Sequence, residues 1–240
     1  MPDIDALPVS PAIRTALDCA IQSVLGRIYA QQALGRCATY AIVGARVLSE
    51  VLKHPYYPVC GGQVLDCGNG MYIVFYPGRE ERRRARRLGD MRDYHCWIQA
   101  QRKCAGSTRT RIEIVDFAAR HDRASAEMLG VPFERASDLD YLWVWEDVQA
   151  LAFPDSLRSH PDMRSRRPAW QWVDEKCTRL LLDMQAAQPG FYRQLSEAVI
   201  ASLGEHASPA NSASTLLTPQ FRLRLPELRQ HAGSLVGLHA

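Results

Sequence analysis

Three residues far apart in the sequence carry the groups of a nucleophile, a base and an orienting acid: Cys37, His95 and Asp116. Cys37 follows a glycine in GRCATYA and opens a helical pattern, so it is predicted in the first turn of a helix. The helix dipole and unpaired backbone amides favour a thiolate there, and a thiolate is the attacking species in covalent catalysis. The alternative for Cys37 is a small, buried core residue.

His95 and Asp116 are predicted on successive strands. His95 lies in YHCWIQA, where alternation puts it on the same face as Trp97 and Gln99. An imidazole beside a tryptophan suits a general base partly shielded from water, and Trp97 is predicted to contact substrate. Asp116 follows the alternation of RIEIVDF where an apolar residue is expected, so its carboxylate needs a partner. It either orients the imidazole or pairs with an arginine, and a structural role is the alternative for His95.

The order Cys, His, Asp, first on a helix and then on two strands, resembles the triad of the papain-like and transglutaminase-like cysteine hydrolases. The segment HCWIQ at 95–99 is similar to the H-x-W strand of the transglutaminase-like branch. Gln31 lies six residues before Cys37, the spacing at which papain-like enzymes place the glutamine of the oxyanion hole, and it also fits the end of the first helix. The chain also resembles an uncharacterised bacterial family of this superfamily.

The resemblance covers residues 11–120 and implies a papain-like fold with a triad of Cys37, His95 and Asp116. It also implies that this triad hydrolyses an amide or thioester-like bond of a peptide or protein, or transfers the acyl group to an acceptor. Two features depart from the pattern. Ala38 follows the nucleophile, where papain-like enzymes have a second cysteine and an aromatic residue, and the gap from Cys37 to His95 is wider than in the transglutaminase core. A catalytically silent member that binds peptide or protein through the same groove is the first alternative.

The segment 79–92 holds seven arginines and three acidic residues, so its charge exceeds the +3 of the whole chain. The favoured interpretation is a solvated, salt-bridged surface. The second is a basic rim that captures an acidic group of the substrate through Arg83, Arg84, Arg86 and Arg87. The third interpretation is a nucleic-acid-associated protein. It ranks last because acidic residues interrupt the segment and no aromatic residue is interleaved for base stacking.

A metal site is the competing interpretation of the residues in the predicted sheet. The candidate ligands are Cys60, Cys67, His95, Cys96 and Cys104. Six residues separate the first two, more than zinc sites use, and no C-x-x-C occurs. The sequence therefore predicts neither a metal nor a cofactor.

The elements that position these residues follow from the spacing of apolar side chains. Helices are predicted from 11 to about 32 and from 36 to 54, after which the period changes to two around a hairpin turn at Asn69 and Gly70. The predicted strands are 63–67, 71–76, 94–100, 111–117 and 141–145. A second helical run begins at Pro168. The order predicts an α+β protein with N-terminal helices packed on an antiparallel sheet, followed by C-terminal helices.

We expect one domain at 1–205, with a papain-like core at 11–120 and a helical extension at 121–205, followed by a linker and tail at 206–240. The 240 residues are 47% hydrophobic and 23% charged, which is typical of a globular protein. No apolar run approaches the ~20 residues that span a bilayer, and the N-terminal segment lacks the pattern of a signal peptide. The sequence predicts a soluble, cytoplasmic protein with reduced cysteines and no membrane partner.

Overall fold

The computed structural model describes residues 9–29, 35–103, 110–134, 140–147 and 169–206. These residues form an α+β arrangement of helices around a six-stranded antiparallel sheet. The helices are α1 (Pro11–Ile28), α2 (Cys37–Leu52), α3 (Arg79–Arg84), α4 (Asp122–Met128), α5 (Glu175–Ala187) and α6 (Pro189–His206). The strands are β1 (Tyr57–Gly68), β2 (Met71–Phe75), β3 (His95–Lys103), β4 (Thr110–Asp116), β5 (Leu142–Asp147) and β6 (Ala169–Val173).

The two N-terminal helices follow the predicted pattern. Ser10 caps α1 by accepting a hydrogen bond from the backbone of Ile13, and Pro11 occupies the first helical position. Helix α2 is apolar on nearly every side, as expected for a helix enclosed by other elements. It packs against β1 and β3 on one side and against α6 on another. This enclosure fixes where the first residue of α2, Cys37, stands relative to the sheet.

The sheet has the order β2-β1-β3-β4-β5, and β6 also pairs with β1. Gly61 is the register partner of both His95 on β3 and Val173 on β6, so the three strands meet there. A Cβ atom at Gly61 would lie 2.0 Å from the carbonyl oxygen of Trp172, and one at Gly62 would lie 2.0 Å from the Trp172 ring. Only glycine therefore fits at these two positions, and β6 can lie close against β1.

The two faces of the sheet bury separate apolar clusters. The helical face carries the large core, which includes α1, α2, α5 and α6 residues such as Leu25, Leu48 and Leu181. The opposite face carries a smaller cluster, formed by Val59, Trp97, Ile112, Ile114 and Leu142. Each large side chain buried in this way contributes about 1.5–3 kcal/mol to the stability of the fold. Strand β3 is thus enclosed from both sides.

The prediction for the second half of the chain is wrong at one point. A helical run was expected from Pro168, but residues 169–173 form β6 and only α5 and α6 are helical. The residues AWQWV alternate aromatic and polar side chains, a pattern that fits a strand between layers. The expected extension at 121–205 is therefore not helical throughout, because it also supplies β5 and β6 to the sheet. The predicted linker and tail lie, from 207 onward, outside the described residues.

In the part of the chain that the structure describes, none of the helices combines the length and apolar character needed to cross a membrane.

Candidate active site

Cys37 is the first residue of α2, as predicted. The first hydrogen bonds of the helix run from the amides of Thr39 and Tyr40 to the carbonyl oxygen of Arg36. The amide of Cys37 itself precedes the helical ladder, so it has no partner within the helix. The helix lies close to the sheet because of Gly44, where a Cβ atom would lie 2.6 Å from the side chain of Ile98. This close approach brings the thiol to the beginning of β3.

His95 and Asp116 are joined by a short hydrogen bond. His95 Nε2 lies 2.6 Å from Asp116 Oδ2, and the two residues are only 8% and 2% exposed. The other carboxylate oxygen accepts a hydrogen bond from the backbone of Ala118 at 2.9 Å. Of the two roles considered for Asp116, the structure places it on the imidazole and not on an arginine. Because Nε2 is engaged, Nδ1 is the ring nitrogen available to Cys37.

Cys37 is half-buried, and the side chains of Cys96 and His95 lie close enough to its thiol to lower the pKa of that thiol. The effect of Cys96, together with that of His95 and its charge, outweighs the effect of burial and lowers the pKa of Cys37 to about 5. Burial alone would lower the pKa of His95, but the charge and hydrogen bond of Asp116, with those of Cys37, hold it well above its ordinary value. Both shifts favour the charged forms of the pair, a thiolate and an imidazolium.

Two glutamine side chains extend this chain of hydrogen bonds, and sequence reasoning did not find them. Gln171 on β6 donates from Nε2 to Asp116 Oδ2 at 3.1 Å and to Gln63 Oε1 at 2.8 Å. Both glutamines are buried. Asp116 therefore accepts three hydrogen bonds, from His95, Gln171 and Ala118. In the sequence, each of these glutamines is the one polar side chain of an otherwise apolar segment, GGQVL for Gln63 and AWQWV for Gln171.

Trp97 does not have the predicted role of a substrate contact. It shares a face with His95, as predicted, and the two rings stack with their centroids 6.2 Å apart at 11°. Its side chain is 0% exposed and belongs to the smaller apolar cluster. No surface of the indole is left for a substrate, so Trp97 supports the imidazole from behind. The predicted oxyanion residue, Gln31, lies outside the described residues.

The predicted arginines lie on the surface. Arg83 and Arg84 are exposed on α3 and pair with Glu80 at 2.9 and 3.8 Å. The backbone amides of Arg86 and Arg87 both donate to the carboxylate of Asp90. This pairing within one segment is what a solvated, salt-bridged surface looks like, and a role as a substrate rim stays a prediction.

The residues named for a metal site do not form one where the structure describes them. Cys67 belongs to a different apolar cluster from Cys60 and Cys96, and Cys104 lies outside the described residues. In the ranges described above, no group of three or more His, Cys, Asp or Glu side chains could hold a metal ion.

Comparisons with known proteins add the class of fold. No protein-family model matches the chain, and no curated protein matches it. A crystal structure determined as a genomics target has a similar fold, with a TM-score of 0.52 and 14% identity over 87% of this chain and 85% of that one. At this identity the likeness concerns the fold alone. It supports an α+β class in which helices and an antiparallel sheet form one arrangement.

Proposed function

We propose that the protein is a cysteine-dependent hydrolase or acyl transferase that acts on an amide or peptide-type bond. The observation that carries this proposal is the buried hydrogen bond of 2.6 Å between His95 and Asp116, beside the thiol of Cys37, whose pKa His95 helps to lower. A core cysteine needs neither the imidazole nor the carboxylate. The same arrangement, a helix that begins with the nucleophile and two strands that carry the base and the acid, supports membership of the papain-like and transglutaminase-like superfamily.

Cys37, His95 and Asp116 each have one task in this mechanism. The thiolate of Cys37 attacks the carbonyl carbon, and the imidazolium of His95 transfers its proton to the leaving amine or thiol as the bond to that group breaks. Water or a second acceptor then attacks the resulting thioester, His95 takes its proton, and the acyl group leaves Cys37. Asp116 holds the imidazole in the orientation that both transfers need.

The negative oxygen of each tetrahedral intermediate needs hydrogen-bond donors that are already in place. The backbone amide of Cys37, at the first position of α2, points out of the helix and supplies one. The resemblance to papain-like enzymes assigns a second donor to Gln31, and this assignment is part of the proposal. The substrate expected from this chemistry is a peptide or a protein.

A labelling experiment tests the reactivity of the thiol. At about pH 6.5, limiting iodoacetamide should modify Cys37 before the other cysteines, because its thiolate is already formed. Cys19 is the matched comparison, since it is exposed on α1 and would be labelled first if exposure alone decided the rate. Mass spectrometry of tryptic peptides identifies the modified residue. Faster labelling of Cys19 would contradict the proposal.

A second experiment separates an enzyme from a silent binding protein. A short peptide thioester should leave its acyl group on the tryptic peptide 37–46, which contains Cys37 as its only cysteine. The adduct should be absent from a Cys37→Ala variant and unchanged in Cys19→Ala. A thiol that labels quickly with iodoacetamide and yet accepts no acyl group would favour the silent peptide-binding alternative.

A further inference from the structure

Four of the seven cysteines meet in one cluster, although they come from four different elements. Cys37 begins α2, Cys60 lies in β1, Cys96 in β3 and Cys177 in α5, and all four pack into or against the large core. Cys60 and Cys96 are register partners in the sheet. All four are free thiols. The proposed acyl-transfer mechanism uses only the first of them.

The thiols are in contact in a definite order. The thiols of Cys37 and Cys96 lie close enough for each to shift the pKa of the other, Cys96 and Cys60 do so across their register pair, and Cys60 does so with Cys177. The sulfur of Cys177 also lies 4.0 Å from that of Met91. The far end of this row is fixed, because the hydroxyl of Thr178 bonds both the amide and the carbonyl of Cys60 at 3.0 and 2.9 Å. Cys96 therefore stands between the nucleophile and the rest of the row.

Access to solvent distinguishes the thiols. Cys37 is half-buried, whereas Cys96 is 1% exposed and Cys60 and Cys177 are 0% exposed. A small oxidant in solution therefore reaches Cys37 more readily than the other three residues of the cluster. Thiolate character and exposure together decide which cysteine is oxidised, and Cys37 is the member of the cluster that has both.

We propose that Cys37 and Cys96 form a reversible disulfide when a hydroperoxide enters the site, with Cys37 as the oxidised thiol and Cys96 as the resolving thiol. This proposal concerns regulation of the proposed catalytic site, and it rests on the proposed function in that Cys37 must be an accessible thiolate. The disulfide removes the nucleophile from acyl transfer and restores it on reduction.

The reaction balances with hydrogen peroxide as the oxidant. The sulfur of Cys37 bonds to one peroxide oxygen, the O–O bond breaks, and the departing hydroxide takes the proton of His95 to leave as water. The sulfur of Cys96 then bonds to that of Cys37, the S–O bond of the sulfenic acid breaks, and the oxygen leaves as water with the proton of Cys96. The two thiols lose two electrons and the peroxide becomes two molecules of water.

The resolving thiol also protects the nucleophile. A sulfenic acid without a neighbouring thiol is oxidised further to a sulfinic acid, which ordinary thiols do not reduce. Because the thiol of Cys96 lies beside that of Cys37, the resolving group is already at the site when the sulfenic acid forms. The site that makes the thiol of Cys37 reactive therefore also contains the group that limits its damage.

Peptide mapping of the peroxide-treated protein tests the proposal. Trypsin releases Cys37 in the peptide 37–46 and Cys96 in the peptide 93–102, each with no other cysteine. A few equivalents of hydrogen peroxide should join these two peptides, with a loss of about 2 Da relative to their sum. Dithiothreitol should separate them and restore rapid labelling of Cys37 by iodoacetamide.

Variants make the result decisive. In Cys96→Ser and Cys96→Ala, the sulfenic acid of Cys37 should persist long enough for dimedone to trap it and should then gain a second oxygen. Cys67→Ser is the matched control, since it replaces a buried cysteine of β1 outside the cluster, and it should form the linked peptides as the wild type does.

Two results would overturn the proposal. One is oxidation of Cys37 to sulfinic acid at the same rate in the wild type and in both Cys96 variants. The other is a linked pair that excludes Cys37, such as Cys60 with Cys96. If iodoacetamide labels Cys37 rapidly in either case, the proposed nucleophile stands and only the disulfide is refuted. If Cys37 is inert to both reagents, the proposed function fails as well.

Discussion

Strand β4 carries two buried carboxylates three residues apart, and each accepts three hydrogen bonds. Glu113 accepts from the guanidinium of Arg102 at 2.9 Å, from the hydroxyl of Tyr56 at 2.7 Å and from the indole of Trp143 at 2.6 Å. Asp116 accepts from His95, Gln171 and the backbone of Ala118. Successive residues of a strand alternate between faces, so the two carboxylates point to opposite sides of the sheet.

The two networks differ in where they end. Arg102 also donates to the hydroxyl of Tyr56 at 2.6 Å, so Glu113, Arg102 and Tyr56 form a closed ring of hydrogen bonds. The cation of this ring is a guanidinium, which does not lose its proton. The network around Asp116 leads instead through a titratable imidazole to a thiol that is half-buried. The two networks differ in their cation, because the guanidinium of Arg102 keeps its proton. The imidazole of His95 can release its proton, so the network around Asp116 supports chemistry.

The largest difference between the networks is expected in stability. Glu113→Ala leaves the buried guanidinium of Arg102 uncompensated, so the free energy of unfolding should fall by about 3–5 kcal/mol. Asp116→Ala should lower it by less, about 1–3 kcal/mol, because His95 can become neutral. Urea denaturation measures both, with the exposed Glu50→Ala on α2 as a control expected within about 0.5 kcal/mol of the wild type. Equal losses for Glu113→Ala and Asp116→Ala would remove the distinction.

The next effect concerns the reactivity of the thiol. His95→Ala removes one of the two neighbours that lower the pKa of Cys37 and leaves Cys96 in place, so labelling of Cys37 by iodoacetamide at about pH 6.5 should slow by roughly 10-fold. Tyr56→Phe removes one hydrogen bond from the closed network and should leave the rate unchanged. A comparable slowing in both variants would show that folding, and not the imidazole, controls the reactivity.

The contributions of Cys37 and His95 to the free energy of unfolding change with pH in opposite directions. The pKa of Cys37 is lowered to about 5 by Cys96 and His95, so its stabilising effect is complete above the ~8.5 of a free thiol and is lost as pH falls towards 5. The pKa of His95 is raised, so its effect is complete below about 6.5 and is lost as pH rises through the folded value.

Two variants isolate these contributions. The difference in unfolding free energy between wild type and Cys37→Ser should shrink as pH falls from about 8 towards 5. The difference between wild type and His95→Ala should shrink as pH rises through the alkaline range. Urea titrations at several pH values measure both, and differences that do not change with pH would refute the ion pair.

A smaller effect is expected at Gln171, whose amide supports the carboxylate and not the thiol. Gln171→Ala removes one of three donors to Asp116 and should lower the unfolding free energy by about 1 kcal/mol. It should slow labelling of Cys37 only a few-fold at about pH 6.5, because His95 remains paired. Gln101→Ala, at an exposed position of β3, is the matched control. No effect of Gln171→Ala beyond that of the control would exclude β6 from the site.

The smallest effects are expected on the arginine-rich surface. Arg83→Ala and Arg84→Ala break exposed ion pairs with Glu80, so each should change the unfolding free energy by less than about 0.5 kcal/mol. Labelling of Cys37 should not change. Slower acylation by an acidic peptide thioester, with a neutral one unaffected, would instead establish the basic substrate rim.

The residues of the proposed triad were predictable because each leaves a local mark. A cysteine at a helix start is visible from capping and periodicity, and Asp116 breaks an apolar alternation. The shared face of His95 and Trp97 also follows from alternation, and the stacked rings confirm it. The complete burial of Trp97 was not predictable, because it depends on side chains of β1, β4 and β5 that cover that face.

Strand β6 was missed for a related reason. Its five residues become a strand by pairing with β1, which precedes it by about a hundred positions, and the space for it exists because of Gly61 and Gly62. Nothing within AWQWV specifies that partner. The approach of Cys37 and Cys177 to Cys96 and Cys60 also depends on long-range packing, so the sequence placed only Cys60 and Cys96 together, in the predicted sheet.

Because β6 joins β1 and β3 at Gly61, the sheet can be completed only late in translation. Translation delivers Cys37, His95 and Asp116 well before Gln171 and the thiols' last neighbour, Cys177. Until β6 emerges, the edge of β1 lacks its partner strand and Asp116 lacks one of its three donors. The nascent chain thus carries an incompletely supported thiol through most of its synthesis. The full support of Asp116 arrives late, with the residues that close the sheet.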